Sequence, residues 1–141
     1  MSSEPNCVFC RIIRGEIPAT VVHRGDACLA FLDIQPLSPG HTLVVPTQHY
    51  PTLDRMPEQL AGEVGAALPR LGSAVMRAAG ATGFNVLINN GSDAGQVVPH
   101  LHIHLIPRRA GDGLGFRWNV RGYQPGEAER LAESVRREMA E

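Results

Sequence analysis

The chain has 141 residues, one domain's worth, and its 43% hydrophobic content is enough to fill a core without disulfide staples. A formal net charge of −1 excludes a global electrostatic drive toward nucleic acid, and no polybasic run marks the chain for a membrane surface. All 13 basic residues are arginine, which excludes a lysine nucleophile.

At the N-terminus, Met1 to Asn6 has neither the basic nor the apolar region of a signal peptide, and no apolar run approaches a membrane span. Three cysteines do not suggest a disulfide framework. A cytoplasmic protein is the expectation. Cys7 to Arg14 reads as a short helix stopped by Gly15 and Pro18. Val21 to His23 and Cys28 to Leu32 read as strands joined through Gly25-Asp26, with Cys28 as a small core residue and His23 at the surface. Thr42 to Val45 is a third strand. Leu60, Val64, Leu68, Leu71 and Val75 then recur at helical spacing from Pro57 to about Ala79. Pro69 should kink or divide that helix. Phe84 to Ile88 and Leu101 to Ile106 are the fourth and fifth strands, separated by the turn-forming run Asn89 to Gln96. A glycine-rich stretch, Gly111 to Gly115, precedes a last helix over Glu127 to Met139 with a thin stripe of Leu131, Val135 and Met139. This order predicts an α+β fold: a five-stranded antiparallel sheet, one long helix and a C-terminal helix. The thin stripes predict a second subunit covering more apolar surface.

The most informative stretch is His100-Leu101-His102-Ile103-His104-Leu105-Ile106. In a strand, residues i, i+2 and i+4 share a face, so three imidazoles line up about 7 Å apart while Leu101, Ile103 and Leu105 enter a core. One such histidine could be a packed core residue; a row of three reads as metal ligation or as nucleophilic and acid–base chemistry. Cys7-Val8-Phe9-Cys10 is half of a zinc site by spacing, with a redox pair as the competing reading.

The triad stretch matches the His-φ-His-φ-His-φ-φ signature, and the chain resembles the histidine triad (HIT) family of nucleotide hydrolases and transferases. The likeness extends to Cys28 through Pro36, Gly40 through Pro46, Asn89 through Gln96, and Gly15-Glu16-Ile17-Pro18, and points to the zinc-binding bacterial nucleotide-binding branch. It implies a single domain over residues 1–141, with a core of about 7–109 and a looser tail over 110–141. It also implies a homodimer whose two sheets join into ten strands. The implied activity is hydrolysis or transfer at the α-phosphate of a nucleotide conjugate, with a purine base. Phosphoramidates, adenylylated amines and dinucleoside polyphosphates are the substrate classes. His102 is implied as the nucleophile, with its other ring nitrogen held by a backbone carbonyl. His104 is implied as partner to the phosphate and leaving group, and His41 and His100 as the outer pair. Ile17, Phe31 and Ile34 would hold the base, Asp33 the ribose, and Asn89 with the backbone of Gly95, Gln96 and Val97 the phosphate. Val97 stands where the branch commonly has a hydroxyl residue. Cys7, Cys10, His49 and His100 are the implied ligands of one structural Zn²⁺, with His100 also bonded to His41. A zinc-stabilised binding or adaptor protein with incidental turnover, or a metal hydrolase with the triad around the ion, are the alternatives.

Overall fold

The computed structural model describes residues 3–115 and 118–141, so Met1 and Ser2 of the N-terminal stretch lie outside it. Among the described residues three α-helices and five strands are formed: α1 (Val8–Ile13), β1 (Val21–Arg24), β2 (Cys28–Leu32), β3 (Thr42–Pro46), α2 (Glu58–Ala78), β4 (Gly83–Ile88), β5 (Ile103–Arg108) and α3 (Glu127–Met139). The strands make one antiparallel sheet in the order β1-β2-β3-β5-β4.

Side-chain alternation divides β2 between the two faces of the sheet. Cys28 and Ala30 pack toward α2 with Val44, Ile103 and Leu105, while Leu29 and Phe31 pack toward α1 with Leu43 and Val45. The long helix supplies Val64 and Leu71 to the first cluster. A side chain at Gly72 would meet the Phe84 ring at 2.5 Å, so glycine lets α2 lie close to β4. Leu105 is fully buried, and its truncation to alanine should cost about 2–5 kcal/mol. The short α1, with Phe9 and Ile12, covers only part of the opposite face. His102 and His104 lie on this face, beside Phe9 and Ile12.

Two expectations are corrected. Pro69 does not divide α2, which runs unbroken from Glu58 to Ala78. Pro69 is exposed, so the carbonyl its missing N–H leaves unpaired one turn earlier can turn toward water. The strand predicted from Leu101 to Ile106 forms instead over Ile103–Arg108. His100 and His102 precede the ladder because Leu101 N–H donates to the Tyr50 carbonyl rather than to β3. The in–out alternation survives: Leu101, Ile103 and Leu105 all enter the core. No helix among the described residues is long and apolar enough to cross a membrane.

Candidate active site

The register of β3 on β5 decides which histidines meet. Thr42 lies opposite Leu105 and Val44 opposite Ile103. His41 therefore sits at the His104 end of the row, and His100 at the Pro46 end. His41 Nε2 lies 3.0 Å from His104 Nδ1, while His100 Nε2 lies 3.0 Å from the Pro46 carbonyl. The expected His41–His100 pair is not made; the antiparallel register holds the two apart.

Backbone groups fix the proton on each ring. A carbonyl only accepts, so the His100 carbonyl, 2.8 Å from His102 Nδ1, requires the proton there and leaves a lone pair on His102 Nε2. The Pro46 carbonyl likewise takes His100 Nε2–H, leaving a lone pair on Nδ1. At His41 the sense reverses. Leu37 N–H donates to His41 Nδ1 at 3.0 Å, so the proton is on Nε2 and is donated to His104 Nδ1. His104 is then left with its own proton on Nε2. Burial pushes His41 below the ordinary imidazole value; burial, then repulsion from His102 and His41, brings His104 down to about 4. Near neutral pH both rings are uncharged, as these tautomers need. The His102 and His104 rings lie 5.0 Å apart, and the Phe9 ring stands edge-on to His102 at 5.1 Å, holding its tilt.

His102 and His104 open into a cleft of about 450 Å³. Ile17, Phe31, Asp33, Ile34, Asn89, Gly95 and Val97 also line it. His41 and His100 are buried at the two ends of the row and do not line the cleft. Asp33 Oδ1 accepts from Gln35 N–H at 2.9 Å, and Oδ2 lies 3.6 Å from His41 Nε2. Gln96 points away from the cleft: its Oε1 accepts from Gly91 N–H and its Nε2 donates to the Pro51 and Val98 carbonyls, bracing the loop. The N–H groups of Gly95 and Gln96 already donate to the Ser92 and Gly91 carbonyls. Gly95 adopts φ +93°, a left-handed conformation that favours glycine, and its lack of a Cβ permits close approach. Val97 N–H makes no hydrogen bond among the described residues.

The second cluster lies behind the row. One donor atom each from Cys7, Cys10, His49 and His100 falls within 4.8 Å of the others, and all but the half-buried Cys7 are buried. Cys10 Sγ lies 3.4 Å from His49 Nδ1 and 3.5 Å from His100 Nδ1. Burial pushes the Cys7 thiol up and holds His100 down at about 4. A neutral His100 lone pair aimed at two thiols is a donor set a cation fits. Two thiols and two imidazoles form a tetrahedral zinc-type set. Asp33, His41 and His104 also converge within 4.8 Å. There the Leu37 amide forces a proton, not a lone pair, into the centre, which opposes a metal.

Sequence reasoning missed Phe9, the Pro46 carbonyl and the Leu37 amide. Phe9 sits inside the Cys-x2-Cys motif and so had a signal; the backbone groups carry no side-chain signature.

The HIT domain family matches residues 14–111. The chain belongs to the HIT family. It is 42% identical over 137 residues to adenylylsulfatase HINT3 of Arabidopsis thaliana, covering 95% of this chain and 70% of that one. It is 34% identical over 145 residues to adenosine 5'-monophosphoramidase HNT1 of Candida albicans, covering 99% and 95%. The solved structure of SMU.412c from Streptococcus mutans superposes with a TM-score of 0.93 at 36% identity, covering 98% of this chain and 88% of that one. With these relatives, the HIT chain described here is a nucleotide hydrolase.

Proposed function

We propose that this single-domain HIT protein cleaves a nucleotide conjugate at its α-phosphate through a covalent nucleotidyl-His102, releasing a nucleoside monophosphate. The observation that carries the proposal is the tautomer pair at the cleft floor: a lone pair on His102 Nε2 beside a proton on His104 Nε2. In this reading the base, a purine, lies between Ile17, Phe31 and Ile34, and Asp33 accepts from the ribose hydroxyls. Asn89 and the Val97 amide donate to the phosphate, and Gly95 lets it approach. His102 Nε2 attacks phosphorus, and His104 Nε2–H hydrogen-bonds the bridging atom as the leaving group gathers charge. Water then breaks the P–N bond and frees the imidazole. Dividing one displacement into two lowers each barrier.

Cys7, Cys10, His49 and His100 would hold one Zn²⁺, which when bound supplies a structural cross-link between the α1 region and the start of the histidine row. His100 joins the two clusters, since its ring faces the metal set while its carbonyl holds His102. The protein acts in the cytoplasm as a homodimer joined through β4. Support for the dimer comes from β4 as an edge strand, with Val86 49% exposed, and from the exposed stripe Leu131, Val135 and Met139 on α3. It should elute near twice its 15.2 kDa mass, and a monomer at micromolar concentration overturns the dimer.

The test of mechanism is a rapid quench. Wild-type protein and a labelled nucleotide phosphoramidate, stopped early in alkali because the P–N bond is acid-labile, should yield label on His102. His102→Ala should lose turnover by about 10⁴-fold or more and keep monophosphate binding within about tenfold, roughly 1.4 kcal/mol. Unlabelled protein together with an active His102→Ala variant would make direct attack by water the mechanism.

A further inference from the structure

Asp33 lines the cleft and also faces the His41–His104 pair. Strand pairing puts it there. Leu32 lies opposite Thr42 in the β2–β3 ladder, and Asp33 N–H donates to the His41 carbonyl at 2.9 Å. Its carboxylate is pinned at one oxygen: Oδ1 accepts from Gln35 N–H, and Oδ2 lies 3.6 Å from His41 Nε2. That distance is long for a hydrogen bond and short for a charge interaction. The His41 side chain is 3% exposed and that of Asp33 18%, so little water screens the pair. The His41 Nε2 proton thus faces two acceptors, His104 Nδ1 at 3.0 Å and the Asp33 carboxylate. The field of Asp33 reaches both rings: burial disfavours their protonation, and the Asp33 charge opposes that effect at each.

We propose that Asp33 is a positioning residue for His104 as well as a ribose acceptor, and that the substrate's own sugar hydroxyls release the His41 proton to His104. The inference rests on the reading of the cleft as the nucleotide site. Hydroxyls donating to the carboxylate spread its charge and fill its free lone pairs. His41 N–H then turns wholly to His104 Nδ1, and His104 keeps its own proton on Nε2, where the leaving group needs a donor. A sugar without hydroxyls does the opposite. It covers Asp33 from water and donates nothing, so the carboxylate draws on His41 N–H instead. No proton changes owner; the hydroxyls select which acceptor His41 serves.

The test is single-turnover cleavage by the full chain at saturating protein, which removes binding from the comparison. The substrates are adenosine 5'-phosphoramidates with a ribose or a dideoxyribose sugar, each carrying a poor leaving group (methylamine) or a good one (4-nitroaniline). With methylamine the dideoxy compound should react about tenfold slower than the ribose compound, and with 4-nitroaniline within about twofold, because a placed donor matters most when the group leaves badly. Asp33→Asn keeps the shape and removes the charge. It should cleave the dideoxy methylamine compound about threefold faster than wild-type protein does, and bring the two sugars to about the same rate. A residue that only binds ribose predicts no such gain, since its loss cannot speed a substrate without hydroxyls. Three results overturn the coupling and leave the hydrolase reading in place: equal wild-type rates for the two sugars with methylamine, the same sugar ratio with both leaving groups, or an Asp33→Asn variant that fails to accelerate the dideoxy compound. Failure to cleave the ribose compounds overturns both. If circular dichroism shows that Asp33→Asn does not fold, the two wild-type comparisons decide.

Discussion

Two clusters in this molecule look alike in composition and differ in what they can do. Cys7, Cys10, His49 and His100 converge within 4.8 Å, and so do Asp33, His41 and His104. In the first, the Pro46 carbonyl takes the outer proton of His100 and turns a lone pair inward. In the second, the Leu37 amide occupies the outer nitrogen of His41 and turns a proton inward. In one set the His100 lone pair faces two thiols and suits a cation; in the other His41 turns a proton inward and suits a hydrogen-bond relay to His104. The lesson is that distance and residue type do not identify a metal site. The backbone group on the far side of each imidazole decides.

Breaking the first cluster should have the largest effect on the protein as a whole. Metal analysis of purified protein should give about one zinc per chain, and Cys10→Ser should remove it entirely, with no residual ion held at Asp33. Structural zinc in small domains is worth about 10 kcal/mol or more; a domain with its own apolar core should lose less, about 3 kcal/mol, read as a drop in Tm. A metal-free wild-type protein of unchanged Tm would end the zinc reading, and an ion surviving Cys10→Ser would reverse the contrast between the clusters.

The second cluster is broken at His41. His41→Ala removes the donor to His104 Nδ1 and frees His104 to adopt the other tautomer. Steady-state kinetics should show kcat falling about 100-fold with a poor leaving group, and less with a good one, because stabilising the departing atom matters most when it leaves badly. Zinc content should not change. A uniform loss across leaving groups would contradict the relay.

The smallest effect is on stability against pH. Burial holds His41 and His104 below the usual value near 6.5, His104 at about 4. The unfolded chain therefore takes up protons first as pH falls. Stability is fully present above about 6.5 and is lost progressively as pH drops toward 4. Tm measured from pH 7.5 to 4.5 should fall in that window, and His104→Asn should flatten the fall. A flat wild-type profile would mean these rings are not buried as described.

Much of the fold was legible because its signals are local. The alternation of Leu101, Ile103 and Leu105 placed a core face, and the period of Leu60 to Val75 marked α2. Of the two outcomes expected at Pro69, kink or division, division does not occur because the helix leaves that turn facing water, and the start of β5 misled because Tyr50, remote in sequence, takes the Leu101 amide. At the site, the cysteine spacing and the histidine row were written in the chain, and the convergence of His49 on Cys10 agrees with them.

The sequence by itself determined which chemical groups are present and which face of the β5 segment they share, since both follow from residue identity and the two-residue period of an extended chain. The tertiary structure alone decided that His41 partners His104 rather than His100, through the β3–β5 register. It also decided where the protons of His41, His100, His102 and His104 sit, through carbonyls and an amide at Pro46, His100 and Leu37. An imidazole has two near-equivalent tautomers, and only a hydrogen bond fixed in space chooses between them.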